Sequence, residues 1–435
     1  MPDTSVSDIR GMFDADFGCL VRGLGSIERL MHLYSGQHPR HFCIAAELGG
    51  AVDPDSYVPA FSAVQARHPL LSVCIRDRAL GLPSIYRSAA PIEVAVHPSG
   101  HGLGWRQIVE RELARPFPDD RAPLMRATVL HARDGAAVIL TFHHALADGI
   151  SGVNIVGDLM QALDGRPLPP LAGCASLDML AAAQASSGSG APAVASADAI
   201  RVEQLRVIGG SALWRPFEGD NPCLRTCILD TGPTSALLTR CRSEATTLHG
   251  ALCAALAHTA ATPGREAPFV VASAVNLRDV VDGGHGGCGL IAGIAPASFQ
   301  APERQAFWDL ARQTVRDIAP SRTLEGALTA VRTLNAALPP EADGTVASGV
   351  FGLFGYDAVV SNLGALPIPV QVGSLRLEAF WGPAVQGRFR NEVVIGAAGV
   401  GGRLYLMQTS PAHIGAVLPG MRRRLLAAAS ETRLA

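Results

Sequence analysis

Apolar positions recur along the chain with two periods, one helical and one strand-like, and their alternation predicts the elements. Residues 26–34 (SIERLMHLY) have helical spacing, and 41–48 (HFCIAAEL) form an apolar run of strand length. Asp53 stands as an N-cap before a helical pattern carrying Val58, Phe61 and Val64, which stops at Pro69. A strand is predicted over 70–77 and a helix over 105–114. Two strands, 124–132 and 136–144, flank Arg133-Asp134-Gly135, where Asp-Gly reads as a hairpin turn. Residues 150–163 then read as a helix ended by Gly165 and Pro167.

The pattern lapses over 181–199 (AAAQASSGSGAPAVASADA), which is rich in Ala, Ser, Gly and Pro and almost uncharged, the composition of a linker. Beyond it, strands are predicted at 223–230, 268–275, 357–361, 392–397 and 403–409. Helices are predicted near 234–245, 246–258, 302–317, 326–337 and 414–429. Both parts mix helices and strands in similar proportion. The expected organisation is an N-terminal lobe, 1–180, a linker, 181–202, and a C-terminal lobe, 203–435, each of α/β (α+β) type.

Composition narrows the chemistry. The 435 residues are 48% hydrophobic and 17% charged, enough apolar matter for a large core and against a disordered chain. A net charge of −2 gives no basic field for nucleic acid or anionic lipid. All 36 basic residues are arginine. Without lysine there is no Schiff-base lysine and no P-loop lysine, which excludes lysine-anchored pyridoxal phosphate and ordinary Walker-type NTP chemistry. The odd count of nine cysteines, several in apolar segments (Cys43, Cys74, Cys253), reads as buried thiols. Cys223 and Cys227 have no second pair at a metal-ligand spacing, so no metal site is expected. The N-terminus has no basic and apolar leader pattern, and no apolar stretch reaches the roughly 18 residues of a membrane span. The expectation is a cytoplasmic protein.

Reactive residues concentrate in TFHHALADGISG, 141–152. A nearly all-apolar strand ends on His143 and His144, Asp148 and Gly149 follow, and a helix begins. Neighbouring strand residues face opposite sides, so the two histidines have different surroundings, and one of them can reach a cleft. A neutral imidazole is a competent general base at neutral pH. Gly149 is expected to supply left-handed backbone to the turn, and Asp148 to bond turn amides or pair with an arginine.

HHALADG resembles the HHxxxDG signature of the acyltransferase superfamily that includes chloramphenicol acetyltransferase, nonribosomal peptide condensation domains and polyketide-associated acyltransferases. LGSIERLM (24–31), RHPLL (67–71), RPFPDDRAPLMRATVL (115–130), TTLHGALCAALA (246–257), VNLRD (275–279) and SNLG (361–364) resemble further family segments, in family order. SNLG places the chain nearest the polyketide-associated branch, and the absent DFGWG motif sets it apart from plant alcohol acyltransferases. The resemblance implies two chloramphenicol-acetyltransferase-like lobes, each a mixed sheet with helices, forming a V-shaped pseudo-dimer around a central cleft. It implies that His144 is the catalytic base, that His143 and Gly149 support it, and that Asp148 forms a structural ion pair with Arg278. Ser361 and Asn362 are candidates for an oxyanion or tunnel role. The implied reaction moves an acyl group from a phosphopantetheine thioester, on an acyl carrier protein or CoA, to a hydroxyl acceptor, in secondary-metabolite biosynthesis. It needs no bound cofactor, metal or covalent acyl-enzyme, and no GxSxG elbow is present. The expected form is a monomer. A free-standing condensation enzyme making an amide from an amine acceptor, and a non-catalytic binding member of the fold, are the rival readings.

Three weaker features remain. GHGGCG, 284–289, formally matches GxGxxG but opens no helix, and reads as a flexible loop at the cleft mouth. Arg422 to Arg424 form a solvated helix face or a docking patch for an acidic carrier. His249 and His258 lie on an apolar helix as core or interlobe residues.

Overall fold

The computed structural model describes residues 19–78, 81–100, 102–118, 122–173, 175–187, 201–281 and 286–430. Its fifteen strands are β1 (Leu20–Gly23), β2 (His41–Gly49), β3 (Val73–Arg78), β4 (Gly81–Arg87), β5 (Glu93–Pro98), β6 (Met125–Ala132), β7 (Gly135–His143), β8 (Pro222–Leu229), β9 (Phe269–Asn276), β10 (Ala292–Phe299), β11 (Ala358–Ala365), β12 (Gln371–Val372), β13 (Leu375–Val385), β14 (Val393–Val400) and β15 (Arg403–Pro411). They form two six-stranded mixed sheets, in the orders β12-β13-β2-β7-β6-β5 and β10-β9-β11-β14-β15-β8, and a small sheet, β1-β4-β3. This is the two-lobed α/β architecture expected.

β7 lies in the middle of the first sheet, antiparallel to both β2 and β6. Its apolar run is explained by that position, because helices cover both faces. The helix Gly149–Leu163 lies over one, and the helix Trp105–Leu113 packs against β2 and β7. The first of these helices comes very close to the sheet: a Cβ on Gly152 would sit 2.1 Å from Ile44 Cδ1. The hairpin turn differs from expectation. Its two residues are Arg133 and Asp134, and Gly135 already pairs with Ala132 inside the strand. Glycine is needed there for space, since a Cβ would meet the Leu48 carbonyl oxygen at 2.5 Å.

The expected partition is crossed in one place. β13 comes from the stretch assigned to the C-terminal lobe, yet it pairs antiparallel with β2, from Arg376 opposite Gly49 to Val385 opposite Phe42. Trp381 on β13 donates its indole N–H to Glu47 on β2 (2.6 Å) and stacks on Trp105. Its alternation (Leu375, Leu377, Ala379 buried; Arg376 and Glu378 exposed) is a half-buried strand pattern overlooked in the sequence reading. The expected linker is also shorter at both ends. Residues Leu177–Ser187 are helical, as alanine-rich sequence favours, and so are Val202–Gly209, while 188–200 lie outside the described residues.

The second sheet has its own core, where the helices Leu248–Ala260, Phe307–Ile318 and Leu418–Ser430 meet Val271, Ala297, Phe299, Val360 and Ile395. Cys43, Cys74 and Cys253 are buried thiols. No helix among the described residues is long and apolar enough to cross a membrane.

Candidate functional site

β7 delivers the histidine pair to the junction of the lobes, and the pleat separates the two rings. His143 pairs across the ladder with His41 and lines a separate cavity with His41, Pro116 and Phe117. His144, one residue beyond the strand, lies on the other face, against Phe42 at 5.0 Å between ring centroids. There it lines a cavity of about 170 Å³ bounded by both lobes. Arg40, Phe42, Gly149 and Ile150 come from the first lobe, Ala274, Asn276, Ile294, Ser361 and Asn362 from the second, and Pro383 and Val385 from the crossing strand β13. Ile27, Met31, Val275, Leu290, Val359 and Leu363 make most of the remaining wall apolar.

The tautomer of His144 follows from its neighbours. Nδ1 lies 3.1 Å from the Ala147 carbonyl, which can only accept, so Nδ1 carries the proton and Nε2 keeps the lone pair. Burial first, and then the Arg40 guanidinium, push this imidazole down to about 4. It is neutral at pH 7. Burial pushes His143 to about 3, and its Nδ1 accepts the Ala145 N–H at 3.2 Å. With that nitrogen engaged by the backbone, His143 holds the chain and does not line the cavity that holds His144.

Asp148 lines the same cavity as His144 but directs its hydrogen bonds elsewhere. It caps the helix Gly149–Leu163, accepting from the Ser151 N–H (2.9 Å) and Oγ–H (3.0 Å), and also accepts the Ile291 N–H (3.0 Å). Arg278 completes its shell bidentately, with Nη1 and Nη2 at 2.7 and 3.0 Å. Both side chains are almost fully buried. Arg278 and these hydrogen bonds outweigh desolvation, which by itself raises the carboxyl, and hold it below its usual range. Since Asp148 and Arg278 belong to different lobes, the pair joins them beside the cavity.

Gly149 does not play the expected backbone role. It opens the helix without left-handed φ. Its constraint is packing: a Cβ would come within 2.6 Å of Leu363 Cδ2 on the opposite lobe, so that side chain would have to turn. Ser361 and Asn362 line the far wall on β11. Asn362 Oδ1 accepts the Gly364 N–H at 3.0 Å and so helps shape the strand end, where Gly364 has φ +70°.

The glycine-rich segment also differs from expectation. Residues 284 and 285 lie outside the described residues, but Cys288 and Gly289 are pinned. Gly289 donates to Ser151 Oγ (3.0 Å) and accepts from Arg278 (3.0 Å), and the Cys288 N–H donates to His68 Nδ1 (3.2 Å). The buried polar groups at the helix start need partners, and this segment supplies them. His249 bonds Ser273 (2.8 Å), and His258 bonds the Gln305 carbonyl (3.1 Å). Arg422 to Arg424 lie on the exposed face of the last helix. Among the described residues, no group of three or more His, Cys, Asp or Glu could hold a metal.

Sequence reasoning missed Arg40, Phe42, Met31 and Asn276 as cavity residues. The first two stand where β2 begins, and only the ladder that sets His41 opposite His143 brings them to His144.

No family model matches the chain. A stretch of 160 residues is 28% identical to bacitracin synthase 3 of Bacillus licheniformis, covering 34% of this chain and 2% of that one. Another, of 130 residues, is 26% identical to an uncharacterized protein of Mycobacterium tuberculosis, covering 28% and 29%. The chain thus spans well under two thirds of these relatives. Solved structures match over nearly the whole chain. Polyketide synthase associated protein 5 from Mycobacterium tuberculosis superposes with a TM-score of 0.64 at 18% identity, covering 95% of this chain and 99% of that one. The first condensation domain of the CDA synthetase gives 0.67 at 18%, covering 94% and 97%. The trichothecene 15-O-acetyltransferase of Fusarium sporotrichioides gives 0.64 at 13%, covering 94% of each. In its two-lobed fold, the chain is thus similar to condensation domains, a polyketide synthase associated protein and an acetyltransferase.

Proposed function

We propose that the protein transfers an acyl group from a thioester to a hydroxyl acceptor, with His144 as general base. The observation that carries this reading is a neutral imidazole whose Nδ1 is tied to Ala147 and whose ring lines the cavity between the lobes. Nε2 takes the hydroxyl proton as the oxygen attacks the thioester carbonyl. The tetrahedral oxyanion forms while the imidazolium stands beside it, and opposite charges at that distance offset the desolvation that otherwise disfavours the cation. Collapse breaks the C–S bond, and the imidazolium returns its proton to the departing sulfur, leaving an ester and a free thiol. General-base assistance contributes roughly 10²–10⁴ in rate, and holding both reactants in one cavity contributes further. In this reading Ser361 and Asn362 line the path of the reacting carbonyl and Asp148 acts only through the fold. The donor thiol in this reading is the phosphopantetheine of CoA or of a carrier protein.

The test is mass spectrometry of the purified protein with acyl-CoA or acyl-carrier donors and paired alcohol and amine acceptors. Ester formation that His144→Ala removes, with the unfolding transition unchanged, is the expected result. Full transfer by that variant sinks the assignment. Amide formation with no ester would replace the acceptor class.

A further inference from the structure

Behind the catalytic cavity lies a buried charge cluster that the transfer reading does not use. Tyr34, fully buried, stands at its centre, and the charges of Arg40, Arg215, Arg388 and Glu392 all act on its phenol. Arg215 and Arg388 both pair with one carboxylate, Asp220, whose side chain is 7% exposed. Arg40 has Glu392 as its carboxylate neighbour. Three guanidiniums, each more than nine-tenths buried, therefore share two carboxylates.

Buried charges are normally paired, because an isolated ion in a low-dielectric interior is strongly disfavoured. The imbalance appears in the hydrogen bonds as well. Arg40 Nε and Nη1 and Arg388 Nε are buried without a hydrogen-bond partner among the described residues, while the Tyr356 hydroxyl lies between Arg40 and Glu392. Unpaired polar atoms are few in native interiors, and each calls for a physical explanation, an added binding group among them.

Arg40 connects this cluster to the cavity. It is 5% exposed, lines the cavity that holds His144, and lies over the rings of Phe351 and Tyr34 at 5.0 and 5.7 Å. We infer that one of the two reactants carries a carboxylate besides its reacting group, and that this carboxylate enters through the cavity to pair with Arg40. The inference rests on the transfer reading and names the class of its substrate: an aliphatic acid of a few carbons, whose chain lies along Ile27, Met31 and Val385. One added anion brings the cluster to three charges of each sign and gives the Arg40 N–H groups an acceptor. Arg40 is thus a specificity-determining residue.

The experiment is calorimetric titration of the whole purified protein with hexanoate, its neutral isostere hexanamide, and formate. Hexanoate binding about ten-fold or more tighter than hexanamide is expected, the range of a charge-assisted hydrogen bond, with formate weaker than hexanoate because it lacks the apolar chain. Arg40→Met should remove the preference for the acid, and Arg40→Lys should keep part of it. Should Arg40→Met fail to fold, the wild-type series still decides. Equal affinity for acid and amide, or for formate and hexanoate, overturns the inference, as does a folded Arg40→Met protein that still selects the acid. His144→Ala should keep the acid preference. Acid selection by a protein inert in transfer places the failure in the transfer reading. Transfer without acid selection places it here.

Discussion

Replacing Asp148 by alanine tests whether the aspartate of HHxxxDG acts on the fold or on the chemistry. The side chain accepts five hydrogen bonds: two from Ser151, one from the Ile291 N–H and two from Arg278. The alanine leaves the guanidinium, 1% exposed, with only neutral acceptors at Gly289, Ser151 and Asn276. Removing one partner of such a pair destabilises by about 3–5 kcal/mol. Losing the helix N-cap adds about 1 kcal/mol. The sum, about 4–6 kcal/mol, is a large fraction of an ordinary folding free energy of roughly 5–15 kcal/mol. Urea unfolding of the wild type, Asp148→Ala, Arg278→Met and the double variant measures it. The double variant should be about 1–3 kcal/mol more stable than the sum of the single losses, since no charge is left unpaired. Additivity within about 0.5 kcal/mol refutes the reasoning. So does an Asp148→Ala protein that keeps wild-type stability and has lost only its turnover.

The remaining predictions concern the imidazoles and the lobe junction. The acid limb of kcat/KM should fall with an apparent pKa near 4, since His144 is protonated only below that value; a limb near 6.5, the ordinary histidine value, would place the ring in water. His38 and His249 are held near 4, and His41 and His143 near 3, all chiefly by burial. Their folded values lie below the unfolded one, so this stability is present above about pH 6.5 and is lost as pH falls toward 4, by about 1.4 kcal/mol per unit for each histidine. Urea midpoints that stay flat between pH 6.5 and 4.5 would contradict it. Gly149→Ala should shift stability by no more than about 1 kcal/mol, because the clashing atom is the end of the flexible Leu363 side chain. By turning Leu363 it should narrow the cavity, read as a larger loss of kcat/KM for branched than for straight acyl donors; an equal loss for both counts against the packing role.

Much of the local structure was legible in the sequence. β2, β6, β7 and the helix after the histidines lie within a residue or so of the predicted bounds, because periodicity and capping are local properties. The opposed directions of His143 and His144 follow from the pleat alone. The link between Asp148 and Arg278 was also anticipated, but only through the family resemblance, since nothing local sets a carboxylate beside a guanidinium 130 residues away. Tertiary structure decided the rest. β13 showed its alternation in the sequence, but not that it would join a sheet whose nearest strand holds Glu47, 334 residues before Trp381. The role of Gly149 was misread because the atom it packs against belongs to Leu363, on the other lobe. Arg40 looked like any arginine before a strand. Its burial, its place beside His144 and the surplus charge around it exist only once both lobes have closed on it, because pairing between distant segments leaves no periodic trace in either one.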